Sequence, residues 1–576
     1  MCGILGWVSI ENFSVRDLVS SLKRLEYRGY DSFGFATKDG TIQKFVGTID
    51  SSINSVGSFK TDAAIAHTRW ATHGKISKKN AHPHFSNNKK LFVVHNGIIE
   101  NYTEIKKSLE ETGYRFYSET DTEIIPAYFQ EKLKEKEIKE AIYDFLKDIK
   151  GTFAILLLEK NKGELYAIKR DSPLVIGLCK DKYILASDIY AFSDLTNKAV
   201  FLEDNMFAEV TKNSCKFYRD NEEVIVKITE FEWAKEDKIG DYPHYMIKEI
   251  KEQPDSSFRL VQSLKTVQKN KIAKIAGLIK NKKRVVFVSC GTSYHASLIG
   301  ASLLIKLGIE AHAVIASEFE NFILIDENTL VIAISQSGET MDVISVLKKI
   351  HAPVVSITNV PYSTIQRMSD YNIDSLAGQE ICVAATKSFT NQLIVLYALA
   401  KELGYKIELD EIPNKIKATI EKSETKIKKL AKSLYKAHDI FVLGSGSGYP
   451  IAREIALKLK EIPYVHAEGM MAGELKHGTL ALITKGVPVI SLIPNNDTDM
   501  ITSTKEVEAR GAMVIVFSNG RLELPKSNLF ATPACHNEEF AIYACILGHL
   551  LSYHLGVLRG CEIDKPRNLA KSVTVK

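Results

Sequence analysis

Through roughly the first 230 residues, apolar side chains come in short strand-like runs, Ala63–Ile65, Leu91–Val94, Thr152–Leu158 and Tyr183–Ala186, and at helical spacing in Val15–Leu25 and Thr103–Glu111. That mixture predicts an α+β domain over residues 2–230. Lys132–Lys150 is dense in charge but keeps Ile138, Ala141, Ile142 and Phe145 on one stripe, so it reads as a helix with a solvated face. A polar, Lys/Glu-rich stretch over 231–254 then breaks the pattern and reads as a linker. Beyond it the order becomes strand, hydroxyl-rich loop, helix, and the unit occurs twice. Val285–Tyr294 matches Ile440–Tyr449, Leu330–Ile334 is echoed by Val487–Ile493, and Pro353–Asn359 by Met513–Asn519. Apolar runs of this kind separated by helical segments predict two doubly wound, parallel α/β domains, placed at 255–415 and 416–565, with a tail over 566–576.

Bulk properties narrow the class. At 576 residues the chain exceeds what one hydrophobic core can organise. Its 75 basic and 70 acidic residues leave a net charge of only +5 with no basic arm, so anionic small molecules fit better than nucleic acid. Eight scattered cysteines with no CxxC pair and no Cys/His cluster at ligand spacing predict reduced thiols in a cytoplasm and no structural metal. Ile542–Leu558 is the most apolar segment, but His549, Ser552 and His554 interrupt it, and it reads as a buried helix, with no membrane partner.

The chemistry concentrates in a few places. Cys2 follows the initiator Met, and removal of Met1 would leave a thiol and an α-amine on one residue. Such an amine titrates near pH 8 and can serve as the base for its own sulfur. His67–Gly74 is dense in groups costly to bury unpaired, and its Arg69 could fork onto a carboxylate. Asn96-Gly97 directly follows a strand and offers a side-chain and a backbone donor for an oxyanion. Ser118–Glu123 supplies a carboxylate for an ammonium, or else simply caps a helix.

In the duplicated half the copies differ after their second strand. The first carries Ser335-Gln336-Ser337-Gly338-Glu339-Thr340, suited to a phosphate; the second carries Pro494-Asn495-Asn496-Asp497, where proline removes an N–H. This predicts one phosphosugar site, set mainly in the first copy, with a plain helix cap as the alternative reading. At about 100° per residue, Glu454, Lys458 and Glu461 share a narrow stripe beside Leu457 and Ile455, against the apolar face of a helix over Pro450–Ile462. His477 stands at a Gly-flanked turn, and Lys571 lies in an apolar tail able to desolvate its amine.

Met1–Ile4, Arg24–Ser32, His67–Gly74, Asn80–His84, His95–Asn101 and Ser118–Glu123 together resemble the glutamine-hydrolysing domain of class II amidotransferases, which are N-terminal-nucleophile hydrolases. The resemblance implies a four-layer αββα sandwich with Cys2 as nucleophile, Asn96 and Gly97 as oxyanion hole, Arg69, Asp121, Thr72 and His73 binding glutamine, and Trp70 gating the exit of ammonia. Read with the duplicated half, the chain is similar throughout to the family that aminates fructose 6-phosphate with glutamine nitrogen, whose C-terminal half is a pair of sugar-isomerase (SIS) domains. That implies sugar-phosphate contacts from Thr292, Ser293, Ser335, Gln336, Ser337, Thr340, Val383 and Ala570. It also implies an imine on Lys571, ring opening by His477, and proton transfer between C1 and C2 by Glu461, with Lys458 and Glu454 setting its charge. No metal or organic cofactor is implied, and a homodimer is, with His477 reaching the neighbouring sugar site. Ala385 stands where the family often has Ser, and Thr479 where it has Pro; the length is that of bacterial members. A phosphoribosyl-type amidotransferase is disfavoured because no acidic pair precedes a phosphate loop. The complete glutaminase signature speaks against a deglycase, and the chain shows neither the helix-turn-helix nor the decayed catalytic positions of a sugar-phosphate-sensing regulator.

Overall fold

The computed structural model describes residues 2–71, 74–231, 238–520, 522 and 528–573. Two compact units emerge, one comprising Met1–Lys235 with Ser572–Lys576, the other Glu236–Lys571.

In the first unit two antiparallel sheets, of eight and seven strands, lie face to face. Strands β1 (Gly3–Ser14) and β2 (Lys60–Arg69) are neighbours in the first sheet, and β3 (Leu91–Ile99) and β4 (Gly151–Glu159) in the second. Ile4, Val8, Ile65, Phe92, Val94, Leu156 and Leu158 meet between them. The outer face of the second sheet is covered by helices Tyr102–Glu111, Ile124–Lys132 and Ile138–Asp148 through Leu109, Phe129 and Phe145. Helix Val15–Lys23 buries Leu18 and Leu22 against the other sheet. With both faces covered, the central strands read as nearly unbroken apolar runs, and the layers are helix, sheet, sheet, helix. Within the charged stretch Lys132 closes the preceding helix and a separate helix runs over Ile138–Asp148, burying Ala141, Ile142 and Phe145 as its spacing predicts.

The second unit begins inside the stretch that reads as a linker. There α1 (Tyr245–Lys251) buries Met246, Ile247 and Ile250 in the unit's core. Its three apolar side chains are spaced for one helix face, but the surrounding Lys and Glu residues mask them in the sequence. The first parallel sheet follows, built from β5 (Arg284–Ser289), β6 (Glu310–Ile315), β7 (Thr329–Ser335), β8 (Val354–Thr358) and β9 (Tyr371–Asp374), with α2 (Gly291–Lys306) after β5 and α3 (Lys387–Glu402) after β9. Helix α4 (Ile412–Ser433) runs unbroken across residue 415, because its stripe of Ile412, Ile416, Ile420 and Ile427 is continuous. The second sheet comprises β10 (Asp439–Gly444), then α5 (Gly448–Glu461), β11 (His466–Met471), β12 (Pro488–Ile493), β13 (Met513–Ser518) and β14 (Leu529–Ala531), and α6 (Asn537–Leu558) follows. Strand order is β6-β5-β7-β8-β9 in one sheet and β11-β10-β12-β13-β14 in the other, all parallel, so the duplication extends to topology. A single core joins the two sheets through α2, α3, α4, α5 and α6. The apolar helix predicted at Ile542–Leu558 is the buried spine of this unit.

Candidate functional site

Register brings the first set of side chains together. Gly3 pairs with Thr68 and Ile4 with His67, so Cys2 lies beside the end of β2, where Arg69 and Trp70 stand. Its Sγ accepts from the Trp70 N–H at 3.2 Å and can donate to the Trp70 carbonyl at 3.6 Å. Burial pushes the thiol pKa up, and the Trp70 N–H and the Arg69 charge oppose it. From β3, Asn96 Nδ2 donates to the Cys2 carbonyl at 2.7 Å. Gly97 follows at φ +127°, and a Cβ there would meet the Thr152 carbonyl oxygen at 1.9 Å. Only glycine lets the strand keep this path beside the thiol. Arg69 and Asp121 are both buried, and their opposite charges sense one another. Asp121 Oδ2 accepts from the Ile99 N–H at 2.9 Å, which fixes the carboxylate against β3. A half-buried thiol with an amide donor, a cation and an anion around it matches the amide, carboxylate and ammonium of an α-amino acid amide. Trp70 is half-buried next to the thiol, whereas Thr72 and His73 lie outside the described residues.

The second set lies in the duplicated unit. Ser335 ends β7, and its Oγ accepts from the Gly338 N–H at 3.0 Å and meets Thr340 Oγ1 at 2.9 Å. Ser337 Oγ accepts from the Glu339 N–H at 3.2 Å, and the Gln336 carbonyl accepts from the Asn359 and Val360 N–H groups. Gly338 takes φ +66°, with Ser363 packed where a Cβ would go. The result is a tight hydroxyl-lined turn at a strand end, a shape suited to an anion. On α2, Ser293 accepts from Gln392 at 3.0 Å, and Thr292 donates to Glu454 at 3.1 Å while accepting from Lys458 Nζ at 3.1 Å. Lys458 also pairs with Glu461 at 2.6 Å and Glu454 at 3.4 Å, so the stripe read along α5 is a carboxylate, ammonium, carboxylate row, buried at Glu454 and Lys458 and half-buried at Glu461. Burial opposes ionisation of Glu454, but Lys458 and His295 hold it down near about 2. Glu461 is pushed up by burial, with Lys458 and Lys571 acting in the other direction.

Lys571 is the tail residue tied into this region. Its amine donates to Glu380 Oε2 at 2.6 Å, with both side chains buried. The Val383 N–H donates to the Asp564 carbonyl at 3.0 Å, anchoring the root of the tail that carries Ala570 and Lys571. His477 ends a 3-10 turn and is exposed, with no hydrogen bond to Glu461 or Lys571 among the described residues.

The chain's resemblances fall along the same division. The glutamine amidotransferase domain profile matches residues 67–194, and the SIS domain profile matches 278–402 and 433–526. Glutamine–fructose-6-phosphate aminotransferase (isomerizing) of Thermococcus kodakarensis is 41% identical across 100% of both chains. The chain belongs to the glutamine–fructose-6-phosphate aminotransferase (isomerizing) family. Another member of this aminotransferase family, from Clostridium acetobutylicum, is 38% identical, again over 100% of both chains. Among solved structures, the C-terminal domain of glucosamine-fructose-6-phosphate aminotransferase from Francisella tularensis covers 57% of this chain and 100% of its own, at 32% identity and a TM-score of 0.52. Tagatose-6-phosphate ketose/aldose isomerase from Escherichia coli, at 17% identity and TM-score 0.51 over 57% of this chain and 96% of its own, shares the fold.

In this aminotransferase family member, three polar residues that sequence reasoning did not single out are hydrogen-bonded in and around the second candidate site. Glu380 accepts from Lys571, from the Thr386 and Ser388 N–H groups and from Ser388 Oγ; burial opposes its charge, but these partners hold it near about 2. Glu249, on α1, accepts from the Ile381 and Cys382 N–H groups beside it, and burial together with the Glu380 charge pushes it up to about 8. His295 Nδ1 meets Glu454 Oε2 at 2.6 Å. Each is an ordinary helix or loop residue by spacing, and only packing gives it a role.

Proposed function

We propose that this protein converts L-glutamine and D-fructose 6-phosphate to L-glutamate and D-glucosamine 6-phosphate. The observation that carries the reading is the occurrence in one chain of a half-buried thiol flanked by Asn96, Arg69 and Asp121 and, in a sugar-isomerase fold, a buried lysine amine near Glu461. With Met1 removed, the Cys2 α-amine takes the thiol proton and the sulfur attacks the glutamine amide carbon. Asn96 Nδ2 turns from the Cys2 carbonyl to the oxyanion, and Gly97 N–H supplies the second donor. Collapse of the tetrahedral intermediate, with the α-ammonium giving its proton to the departing nitrogen, expels ammonia and leaves a γ-glutamyl thioester, which water cleaves to glutamate and the free thiol. Arg69 holds the substrate carboxylate and Asp121 its ammonium, and Thr72 and His73 are also assigned to glutamine binding; Trp70 gates the ammonia, which passes internally to the sugar.

At the sugar, the loop Ser335–Thr340 with Thr292, Ser293, Val383 and Ala570 holds the phosphate and hydroxyls. His477 of a second copy opens the ring, which makes the enzyme a cytoplasmic homodimer; the exposure of His477 and eight unpaired cysteines support that reading. Lys571 must shed a proton to attack C2, and the imine forms with loss of water. Ammonia displaces the lysine nitrogen, and Glu461 removes a proton from C1 and returns one to C2, giving the amino aldose. Lys458 and Glu454 fix the charge of Glu461. The amidotransferase domain is assigned to residues 2–230 and the two SIS domains to 255–415 and 416–565.

Incubation with both substrates should yield equimolar glutamate and glucosamine 6-phosphate, resolved by chromatography. Cys2→Ala should abolish glutamine-dependent synthesis while fructose 6-phosphate isomerisation continues. Undiminished glutamate release in that variant would sink the assignment.

A further inference from the structure

His67 belongs to the motif that supplies Arg69 and Trp70, yet the mechanism above gives it nothing to do. It sits on β2, fully buried, and its ring crosses to β3 in the facing sheet. Nε2 lies 3.1 Å from the His95 carbonyl oxygen and 3.1 Å from Asn96 Oδ1. Both are carbonyl oxygens that can only accept, so the nitrogen between them carries the hydrogen and donates to both. The other nitrogen, Nδ1, is buried with no hydrogen-bond partner among the described residues, consistent with a ring that bears its single proton on Nε2. Burial pushes the imidazole down to about 3, so the ring is neutral at any pH where glutamine hydrolysis is measured. Its face stacks on His82 with centroids 4.1 Å apart, and His82 Nδ1 in turn accepts from the His95 N–H at 3.4 Å, which leaves the His67 ring little freedom to turn.

The consequence falls on Asn96. A carboxamide has two ends of nearly equal shape and opposite hydrogen-bonding sense. With Oδ1 taken by the His67 N–H, Nδ2 must face Cys2, where it donates at 2.7 Å. A flipped amide would set its oxygen against the Cys2 carbonyl and its NH2 against the His67 N–H, losing two hydrogen bonds and gaining two repulsions. An oxyanion hole stabilises charge only when its donors are aimed before the charge appears. We propose that His67 is a positioning residue for glutamine hydrolysis: its Nε2–H holds the Asn96 carboxamide in the one orientation that presents a donor to the oxyanion. The inference rests on the glutaminase reading of Cys2 and gives that site a further member, one that touches neither substrate nor thiol.

A ring that served only as packing would be replaceable by another ring. His67→Phe keeps the stack on His82 but removes the donor, so kcat for glutamate release should fall about 10- to 100-fold, below the cost of deleting an oxyanion donor outright. KM for glutamine should stay within about twofold, because Arg69 and Asp121 are untouched. His67→Gln, whose Nε2 reaches about as far as the imidazole Nε2, should recover at least about half of that loss on a logarithmic scale, and it serves as the test variant if His67→Phe does not fold. The deciding measurement is a double-mutant cycle: in an Asn96→Ala background there is no amide to orient, so His67→Phe should cost less than about twofold. Equal cost in both backgrounds, or a rise in KM with kcat unchanged, would overturn the proposal. Wild-type protein that fails to hydrolyse glutamine would instead overturn the functional reading on which it rests.

Discussion

At Gly97 the backbone runs at φ +127° with the Thr152 carbonyl oxygen where a side chain would begin, so the oxyanion hole proposed above would include a position where any side chain clashes with the neighbouring strand. Gly97→Ala must shift β3 away from β4 and carry the Gly97 N–H and the adjacent Asn96 out of line. Glutamate release should drop about 100- to 1000-fold, the cost of losing an oxyanion donor, while fructose 6-phosphate isomerisation assayed in the same preparation is unchanged. Parallel loss of both activities would point instead to unfolding. Neighbouring Asn96 shows why such positions are so exacting: its donor, its acceptor and its strand are each committed to a different partner.

Among the elements, α1 gains most from being seen in three dimensions. Glu249 on this helix is buried, accepts two N–H groups through one oxygen, and leaves the other without a hydrogen-bond partner among the described residues. Glu380, Lys571 and Lys387 surround it electrostatically, and burial with the Glu380 charge lifts its pKa from 4.5 to about 8. An acid whose pKa is raised on folding binds its proton more tightly in the folded state, so stability declines as pH rises between those two values. The slope attributable to this single group is at most about 1.4 kcal/mol per pH unit. Glu249→Gln, which keeps the carbonyl acceptor and cannot ionise, should flatten that decline in denaturant titrations from pH 5 to about 8; an unchanged slope would show that Glu249 is already ionised in the folded protein. The element also marks where the sequence ran out. The strand alternation, the duplication and the row Glu454, Lys458, Glu461 are legible because they repeat at fixed periods. Glu249 and Glu380 are not, since a lone Glu in a helix or loop reads as solvated until its neighbours close over it, and the groups that decide their roles, Ile381 for Glu249 and Lys571 for Glu380, lie more than a hundred residues away in sequence. Arg69, Asn96 and Asp121 were readable only because several short motifs occur together.

The whole molecule carries two chemistries that can be taken apart by mutation. Lys571→Arg keeps a cation for the buried carboxylate of Glu380, avoiding the roughly 3 to 5 kcal/mol penalty of stranding one partner of a buried pair, but a guanidinium cannot form the imine. The variant should therefore fold with near-native thermal stability, release glutamate from glutamine and form no glucosamine 6-phosphate. Aminosugar formation at more than a few per cent of the wild-type rate would remove Lys571 from the reaction. The paired outcome, together with Cys2→Ala, separates nitrogen supply from nitrogen use within one polypeptide.

Helix α6, buried almost from end to end, has a further consequence that concerns time. Proteins are made and folded from the N-terminus at roughly 5 to 20 residues per second. Every strand of the first unit lies before residue 231, whereas α6 spans Asn537–Leu558 and the core around it draws on both parallel sheets. A nascent chain therefore completes its amidotransferase fold tens of seconds before the central helix of its other unit has been made, and during that interval the apolar faces of β5, β7, β10 and β12 lack their cover. Premature termination before residue 537 therefore leaves a first unit with all its strands joined to a second unit that lacks its central helix, so α6 is the last large element needed to cover that core.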